Sequence, residues 1–153
     1  YWLLVDKKTK RIAGTIGLYT QGPDRKEPYW LGWFGVSDEF RSLGLGKYLL
    51  QWVLDEVKRR NKSVLRIETS DLSYATTAVA LYKRFGCVQI AKIPQMKHHR
   101  ILYNKLILEK RLVHWRAFSR IQKKRRIKTI PRQRSCWSNV SRNPRTVWWK
   151  VPW

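Results

Sequence analysis

With 153 residues, the chain is long enough for one domain with a hydrophobic core and too short for two comfortable ones. Its 43% hydrophobic residues and nine Trp exclude a disordered chain. No apolar run approaches the roughly 18 residues of a membrane span, so we expect no membrane partner. The net charge of +23 is uneven: residues 1–112 contain 21 Lys and Arg and all 10 acidic residues, whereas residues 113–153 contain 12 Lys and Arg and no acid. We therefore expect a domain over 1–112 and a separate basic, Trp-rich tail over 113–153.

Strand and helix patterns alternate through the first part of the chain. In chain order, the predicted elements are strands over 1–5, 11–20 and 29–36, a helix over 44–60, a strand over 64–69, a helix over 74–85, a strand over 88–93 closed by Pro94, and a strand over 101–108. The first two strands should form an antiparallel hairpin, and the continuous apolar third strand predicts burial on both faces. This order predicts a mixed α/β sheet.

Both predicted helices have an apolar stripe. In the first helix the stripe is Leu45, Leu49, Trp52, Val53 and Val57, and in the second it is Ala78, Leu81, Tyr82 and Phe85. Gly86 is well placed to end the second helix as a C-cap. We expect both stripes to pack on the sheet.

Two glycines, Gly44 and Gly46, stand where the first helix begins. The first amides of a helix lack intrahelical acceptors and attract anions, and glycine lets phosphate oxygens approach the backbone. A Walker A loop is excluded, because Tyr48 follows Gly46-Lys47 and Arg41 holds the place of its first glycine. A Rossmann fingerprint is excluded as well, because Leu49 stands where its third glycine belongs.

The spacing that remains is Arg41-x-x-Gly44-x-Gly46 before an amphipathic helix. It resembles the acyl-CoA-binding motif of the GNAT N-acetyltransferase superfamily. The run from Ala78 to Cys87 is similar to the Ala-x-x-Leu-Tyr-x-x-x-Gly-Phe helix of that family, with Cys87 in place of Phe. The resemblance covers residues 1–112 and implies a mixed, mostly antiparallel sheet flanked by helices.

This resemblance also implies the activity, which is direct transfer of an acetyl group from acetyl-CoA to a primary amine without a metal. It implies that the backbone and loop residues of the cofactor site are Phe34, Val36, Arg41, Ser42, Leu43, Gly44, Leu45, Gly46 and Lys47. Tyr82 would be the general acid for the leaving thiolate. A backbone amide at the end of the third strand would stabilise the oxyanion.

Two positions depart from the family pattern. Ala75 stands where an Asn often contacts the cofactor, so that contact is missing or is made by Ser73 or Thr76. Trp30 stands where some members have a Glu that acts as the general base, and tryptophan cannot take a proton from an amine. Glu27 and Glu68 are possible substitutes, of which we prefer Glu68 and leave the assignment open.

The chain begins later than the family pattern, without its first strand and two helices, so we expect a piece of a longer protein whose acceptor is a small-molecule or protein amine. A cytoplasmic location is the default for two cysteines, Cys87 and Cys136, that match no disulfide framework. The tail is open to three interpretations: a disordered or out-of-frame segment, which we prefer, a docking segment, or a nucleic-acid arm built on Lys123–Arg126. The rival hypothesis for the whole chain is a nucleic-acid-binding protein with the domain as scaffold.

Overall fold

Nine helices and strands are described by the computed structural model, which covers residues 1–22, 27–98, 101–112 and 146–150. The strands are β1 (Trp2–Asp6), β2 (Ile12–Tyr19), β3 (Tyr29–Val36), β4 (Val64–Ser70), β5 (Val88–His98), β6 (Ile101–Arg111) and β7 (Thr146–Lys150). The helices are α1 (Leu45–Arg59) and α2 (Thr76–Arg84). Short 3-10 turns at Asp38–Phe40 and Ser73–Ala75 precede the two helices.

The seven strands form one sheet in the order β5-β6-β4-β3-β2-β1-β7. β3 and β4 run parallel, and every other neighbouring pair is antiparallel. Parallel neighbours need a long crossover connection, which α1 provides. The predicted mixed, mostly antiparallel sheet flanked by helices is confirmed.

The helices and one face of the sheet enclose the hydrophobic core. From α1, Leu49 and Val53 are fully buried, and from β4 so are Leu65 and Ile67. Trp52 meets Trp2 edge to face, with ring centroids 4.8 Å apart. The second helix adds the buried Tyr82 and the partly buried Ala78, Leu81 and Phe85. Both predicted stripes are therefore core stripes, and we call this side of the sheet the helix face.

Pro94 does not end β5, contrary to the sequence prediction, because the strand continues to His98. β5 is an edge strand, where a missing N–H can face away from the ladder. The register against β6 shifts between Ile93 and Met96, with Gln95 in the left-handed region at φ 54°. An irregularity of this kind accommodates a proline without breaking the strand.

The prediction that β3 is buried on both faces is wrong at Trp33, whose side chain is 73% exposed. β3 holds one extra residue here, because Gly32 pairs with Gly17 while Gly35 pairs with Thr15. Trp33 itself has φ 48°. This bulge turns the indole out of the sheet and bends β3.

The last described segment, β7, pairs antiparallel with β1 over five residues, from Trp2 opposite Lys150 to Asp6 opposite Thr146. It gives the β1 edge a hydrogen-bonding neighbour. Lys123–Arg126 and Cys136 lie outside the described residues. No helix in the described ranges has the length and apolar character needed to cross a membrane.

Candidate active site

β3 and β4 separate partway along their length. Their parallel pairing runs from Tyr29 opposite Leu65 to Leu31 opposite Ile67, although β3 continues to Val36 and β4 to Ser70. The bulge at Trp33 bends β3 at this point. A wedge-shaped opening follows, in which the β4 side of residues 32–36 has no strand paired to it. Backbone groups on such an edge can bind an extended ligand as if it were an added strand.

The N-terminus of α1 lies beside the end of β3. Gly44 is the N-cap residue with φ 75°, and it provides no side-chain cap. A Cβ built on Gly44 would have no atom within 4 Å, so the space in front of the helix is open. The amide of Tyr48 makes the first intrahelical bond, to the Gly44 carbonyl at 3.1 Å. The preceding amides are therefore left for an anion, and no acidic residue lies in the first turn.

Gly46 connects this helix end to β3 and α2. A Cβ on Gly46 would lie 3.6 Å from Leu81, 3.8 Å from Phe34 and 3.9 Å from Val36. These are ordinary van der Waals distances, so Gly46 is not required by strain. Its position shows that the two predicted cofactor segments, on β3 and in the loop, meet beside α2, the helix that holds Tyr82.

The other predicted cofactor residues differ in what they present. The Arg41 guanidinium pairs with Asp38 at 2.6 Å and is held toward its own turn. Ser42 adopts φ 61°, and Leu43 is 65% exposed. The side chain of Leu45 is buried in the core, and Lys47 is exposed at the first turn of α1. The loop can thus offer amides and the Lys47 ammonium to an anion.

Tyr82 reaches the same region from α2. It is buried, and its ring centroid lies 5.8 Å from that of Phe34. Burial raises the pKa of the Tyr82 hydroxyl far above its usual range, and the neighbouring Cys87 thiol acts in the same direction. Tyr82 therefore keeps its proton at neutral pH and can act as a proton donor.

Glu68 lies on the opposite side of the sheet. Leu65 and Ile67 point to the helix face, so the alternation of β4 directs Arg66 and Glu68 to the other face. We call this the charged face and define it by Tyr19, Trp30, Arg66, Glu68, Lys105 and Glu109. Within it, Arg66 lies over the Trp30 ring and pairs with Glu109 at 3.2 Å, while Lys105 pairs with Glu68 at 2.9 Å.

The alternative base, Glu27, precedes β3 and so lies at the end of that strand remote from the opening. Its carbonyl accepts a hydrogen bond from the Lys62 ammonium at 2.6 Å. Glu68 comes directly after the last β3–β4 pair, where the strands begin to separate. Near α2, Ala75 is buried, whereas Ser73 and Thr76 are exposed at the start of that helix.

A cavity of about 320 Å³ on the charged face was not predicted from the sequence. Its lining residues are Tyr1, Tyr19, Leu31, Gly32, Trp33 and Glu68. These residues come from four strands or strand ends, β1 to β4, and the sheet register brings Gly17 opposite Gly32 beside the cavity. No periodicity along the chain signals this arrangement. Among the described residues, no group of three or more His, Cys, Asp and Glu side chains could hold a metal ion.

Comparison with known proteins gives matches of three kinds. Residues 1–87 match the model of the Acetyltransferase (GNAT) family. Over 54 residues, the chain is 35% identical to an uncharacterised N-acetyltransferase from Dictyostelium discoideum. The aligned segment covers 35% of this chain and 24% of that protein. The chain thus spans about a quarter of the length of this relative.

Two examples illustrate the solved structures that share the fold. A GNAT family acetyltransferase from Elizabethkingia anophelis with acetyl-CoA bound superposes with a TM-score of 0.58 and 22% identity, covering 71% of this chain and 75% of that one. The ribosomal-protein-S18-alanine N-acetyltransferase from Escherichia coli superposes with a TM-score of 0.59 and 18% identity, covering 72% of this chain and 69% of that one. Because the family model matches more than half of its residues, the chain belongs to the GNAT acetyltransferase family.

Proposed function

We propose that this chain is an N-acetyltransferase that transfers an acetyl group from acetyl-CoA directly to a primary amine, with residues 1–112 as its catalytic core. The observation that carries the proposal is the opening between β3 and β4 with the uncapped N-terminus of α1 at its end. Membership of the GNAT family supports it, and so does the Elizabethkingia structure, which has acetyl-CoA bound.

The α1 end suits the phosphates of this cosubstrate. The amides near Leu43–Lys47 would hold the pyrophosphate, because they lack intrahelical acceptors and the helix dipole favours an anion there. The open space at Gly44 leaves room for phosphate oxygens. The free edge of Phe34–Val36 would hydrogen-bond the extended arm of the cosubstrate. Bound there, acetyl-CoA supplies a thioester carbonyl as the electrophile.

The two faces of the sheet would then supply different groups to the reaction. Tyr82, on the helix face, would donate its proton to the departing thiolate. A backbone amide at the end of β3 would stabilise the oxyanion. Glu68, on the charged face at the start of the opening, would accept the proton of the amine, directly or through water. The acceptor would reach the thioester from the side opposite Tyr82.

The acceptor is a small-molecule or protein amine. The Escherichia coli neighbour is named for acetylation of an alanine of a ribosomal protein, which is an example of a protein acceptor. A cytoplasmic location completes the proposal, supported by the buried free thiol of Cys87.

The proposal is tested by calorimetric titration of acetyl-CoA into the full chain and two variants at Gly44. Gly44→Asp and Gly44→Asn place nearly isosteric side chains in the same open space, and both residue types tolerate the left-handed conformation better than others. They differ in charge alone, so the comparison isolates electrostatic repulsion of the pyrophosphate. We expect Gly44→Asp to bind at least about tenfold more weakly than Gly44→Asn, equivalent to about 1.4 kcal/mol. Equal affinity, or no binding by the folded wild-type chain, would contradict the assigned phosphate site.

A further inference from the structure

The floor of the cavity on the charged face is a tyrosine ring that lies on a pair of glycines. Gly17 and Gly32 lie opposite each other on β2 and β3. A Cβ on Gly17 would lie 2.2 Å from the Tyr1 ring, and one on Gly32 would lie 2.6 Å from the Tyr1 hydroxyl. Tyr1 therefore lies directly on the backbone, where any larger residue would displace it. This floor brings an aromatic ring against the opening between β3 and β4.

Aromatic side chains also form the walls. Tyr19 lies beside Gly32, because a Cβ there would be 3.1 Å from its ring. Trp33, turned outward by the bulge, lines the cavity while remaining 73% exposed. Aromatic faces attract ammonium groups through their quadrupoles and also bury apolar carbon. A volume of about 320 Å³ is at the small end for ligand sites, so it suits a compact molecule.

The charge that the described residues bring to the cavity comes from one side chain. Among the described residues that line it, Glu68 is the one with an acidic or basic side chain. Burial raises the pKa of Tyr19, and the nearby Glu68 carboxylate adds to this, so Tyr19 stays neutral. The chain as a whole has a net charge of +23, so the Glu68 carboxylate is the group through which this cavity could attract a cation.

An ammonium already lies at the Glu68 carboxylate. The Lys105 Nζ is 2.9 Å from Glu68 Oε1, although Lys105 does not line the cavity and reaches the carboxylate from β6. This hydrogen bond raises the pKa of the Lys105 ammonium. A cationic ligand in the cavity would therefore compete with Lys105 for Glu68.

We propose that this cavity is the acceptor site and selects a compact cationic primary amine with an aromatic body and no carboxylate beside the nitrogen. The ammonium binds Glu68, the body packs between Tyr19 and Trp33, and Lys105 weakens the binding by competing for Glu68. This inference rests on the proposed acetyl transfer for its catalytic meaning, but the binding it requires is independent of acetyl-CoA.

The test measures binding of 2-phenylethylamine to the full chain by calorimetry, without acetyl-CoA. Phenylalanine, which adds a carboxylate to the same skeleton, and propylamine, which lacks the ring, are the comparison probes. Two variants of the ion pair at the cavity, Glu68→Gln and Lys105→Gln, are measured with a matched control, Glu109→Gln. Glu109 is a carboxylate on the same face, paired with Arg66 rather than with a cavity residue. Thermal unfolding verifies that each variant is folded.

We expect saturable binding of 2-phenylethylamine and at least tenfold weaker binding of phenylalanine and propylamine. Glu68→Gln should weaken binding of the amine about tenfold or more, Lys105→Gln should strengthen it severalfold, and Glu109→Gln should leave it unchanged. Equal binding of phenylalanine, insensitivity to Glu68→Gln, or no binding by the wild-type chain would overturn the inference. A chain that binds acetyl-CoA and yet gives one of these results would retain the proposed function and lose this acceptor class. A chain that binds the amine but not acetyl-CoA would retain the amine-binding cavity and lose the proposed function.

Discussion

The two faces of the sheet carry different kinds of side chain at neighbouring positions of the same strand. On β4, Leu65 and Ile67 are buried against the helices, whereas Arg66 and Glu68 form ion pairs with residues of β6 on the charged face. The proposed cosubstrate site is thus held by close packing between α1, α2 and β3. The proposed acceptor site is held by polar pairs and partly exposed rings, which tolerate substitution better. We infer that acceptor preference can change with little effect on the fold.

Stability measurements give the sharpest contrast between the faces. Leu49 on the helix face is fully buried, and Ile101, placed on the charged face by the alternation of β6, is 54% exposed. We expect Leu49→Ala to lower the free energy of unfolding by about 3 kcal/mol, because it leaves a cavity in the core. Ile101→Ala should lower it by less than about 1 kcal/mol. Urea denaturation measures both, and similar losses would show that the charged face is packed as tightly as the helix face.

The two tyrosines beside the opening should affect different kinetic constants. Tyr82→Phe removes the proposed proton donor, so kcat should fall about 100-fold, while acetyl-CoA affinity measured by calorimetry stays unchanged. Tyr19→Phe removes one hydroxyl from the acceptor cavity and should change the amine KM by no more than about tenfold, with kcat nearly constant. Steady-state kinetics with 2-phenylethylamine distinguish the two. An equal loss of kcat in both variants would contradict the division of roles between the faces.

The stability of the fold at alkaline pH tests the burial of the Tyr82 hydroxyl, with a smaller expected effect. Because burial raises its pKa in the folded state, the group stabilises the fold below the unfolded-state value of about 10, and this stabilisation is lost as the pH rises above that value. Between pH 10 and 11, the wild-type chain should therefore lose stability faster than Tyr82→Phe, by at most about 1.4 kcal/mol per pH unit. Denaturation curves of both proteins at each pH measure the difference. Parallel pH dependences would indicate that the hydroxyl is accessible to solvent.

The smallest expected effect concerns the edge of the sheet that β7 forms. Removing residues 146–153 leaves β1 without its β7 neighbour. We expect β1 amides to exchange hydrogen about fivefold faster, equivalent to about 1 kcal/mol, while exchange in β4 is unchanged. Mass spectrometry of exchanged peptides provides the measurement. Faster exchange in both strands would show that β7 stabilises the whole sheet rather than its edge.

Residues close in sequence allowed much of this protein to be predicted. The apolar stripes of α1 and α2, the antiparallel hairpin and the bounds of β3 follow from local periodicity, because a helix or strand repeats its burial every few residues. The glycine pair at the start of α1 and the Tyr82 segment were recognisable because each motif lies on one element. The exposure of Trp33 and the continuation of β5 through Pro94 could not be predicted in this way, because both depend on how each strand pairs with its neighbour.

The sequence by itself thus determined both helices, the presence of strands β1 to β6, the family and the motif expected to bind phosphate, because these are encoded within single segments of chain. The tertiary structure decided where β3 and β4 separate, which face receives Glu68, and that Tyr1, Tyr19 and Trp33 surround one cavity. Those features depend on register between strands far apart in sequence, and a shift of one residue would move each side chain to the opposite face. This register places Glu68 on the side of the opening opposite Tyr82.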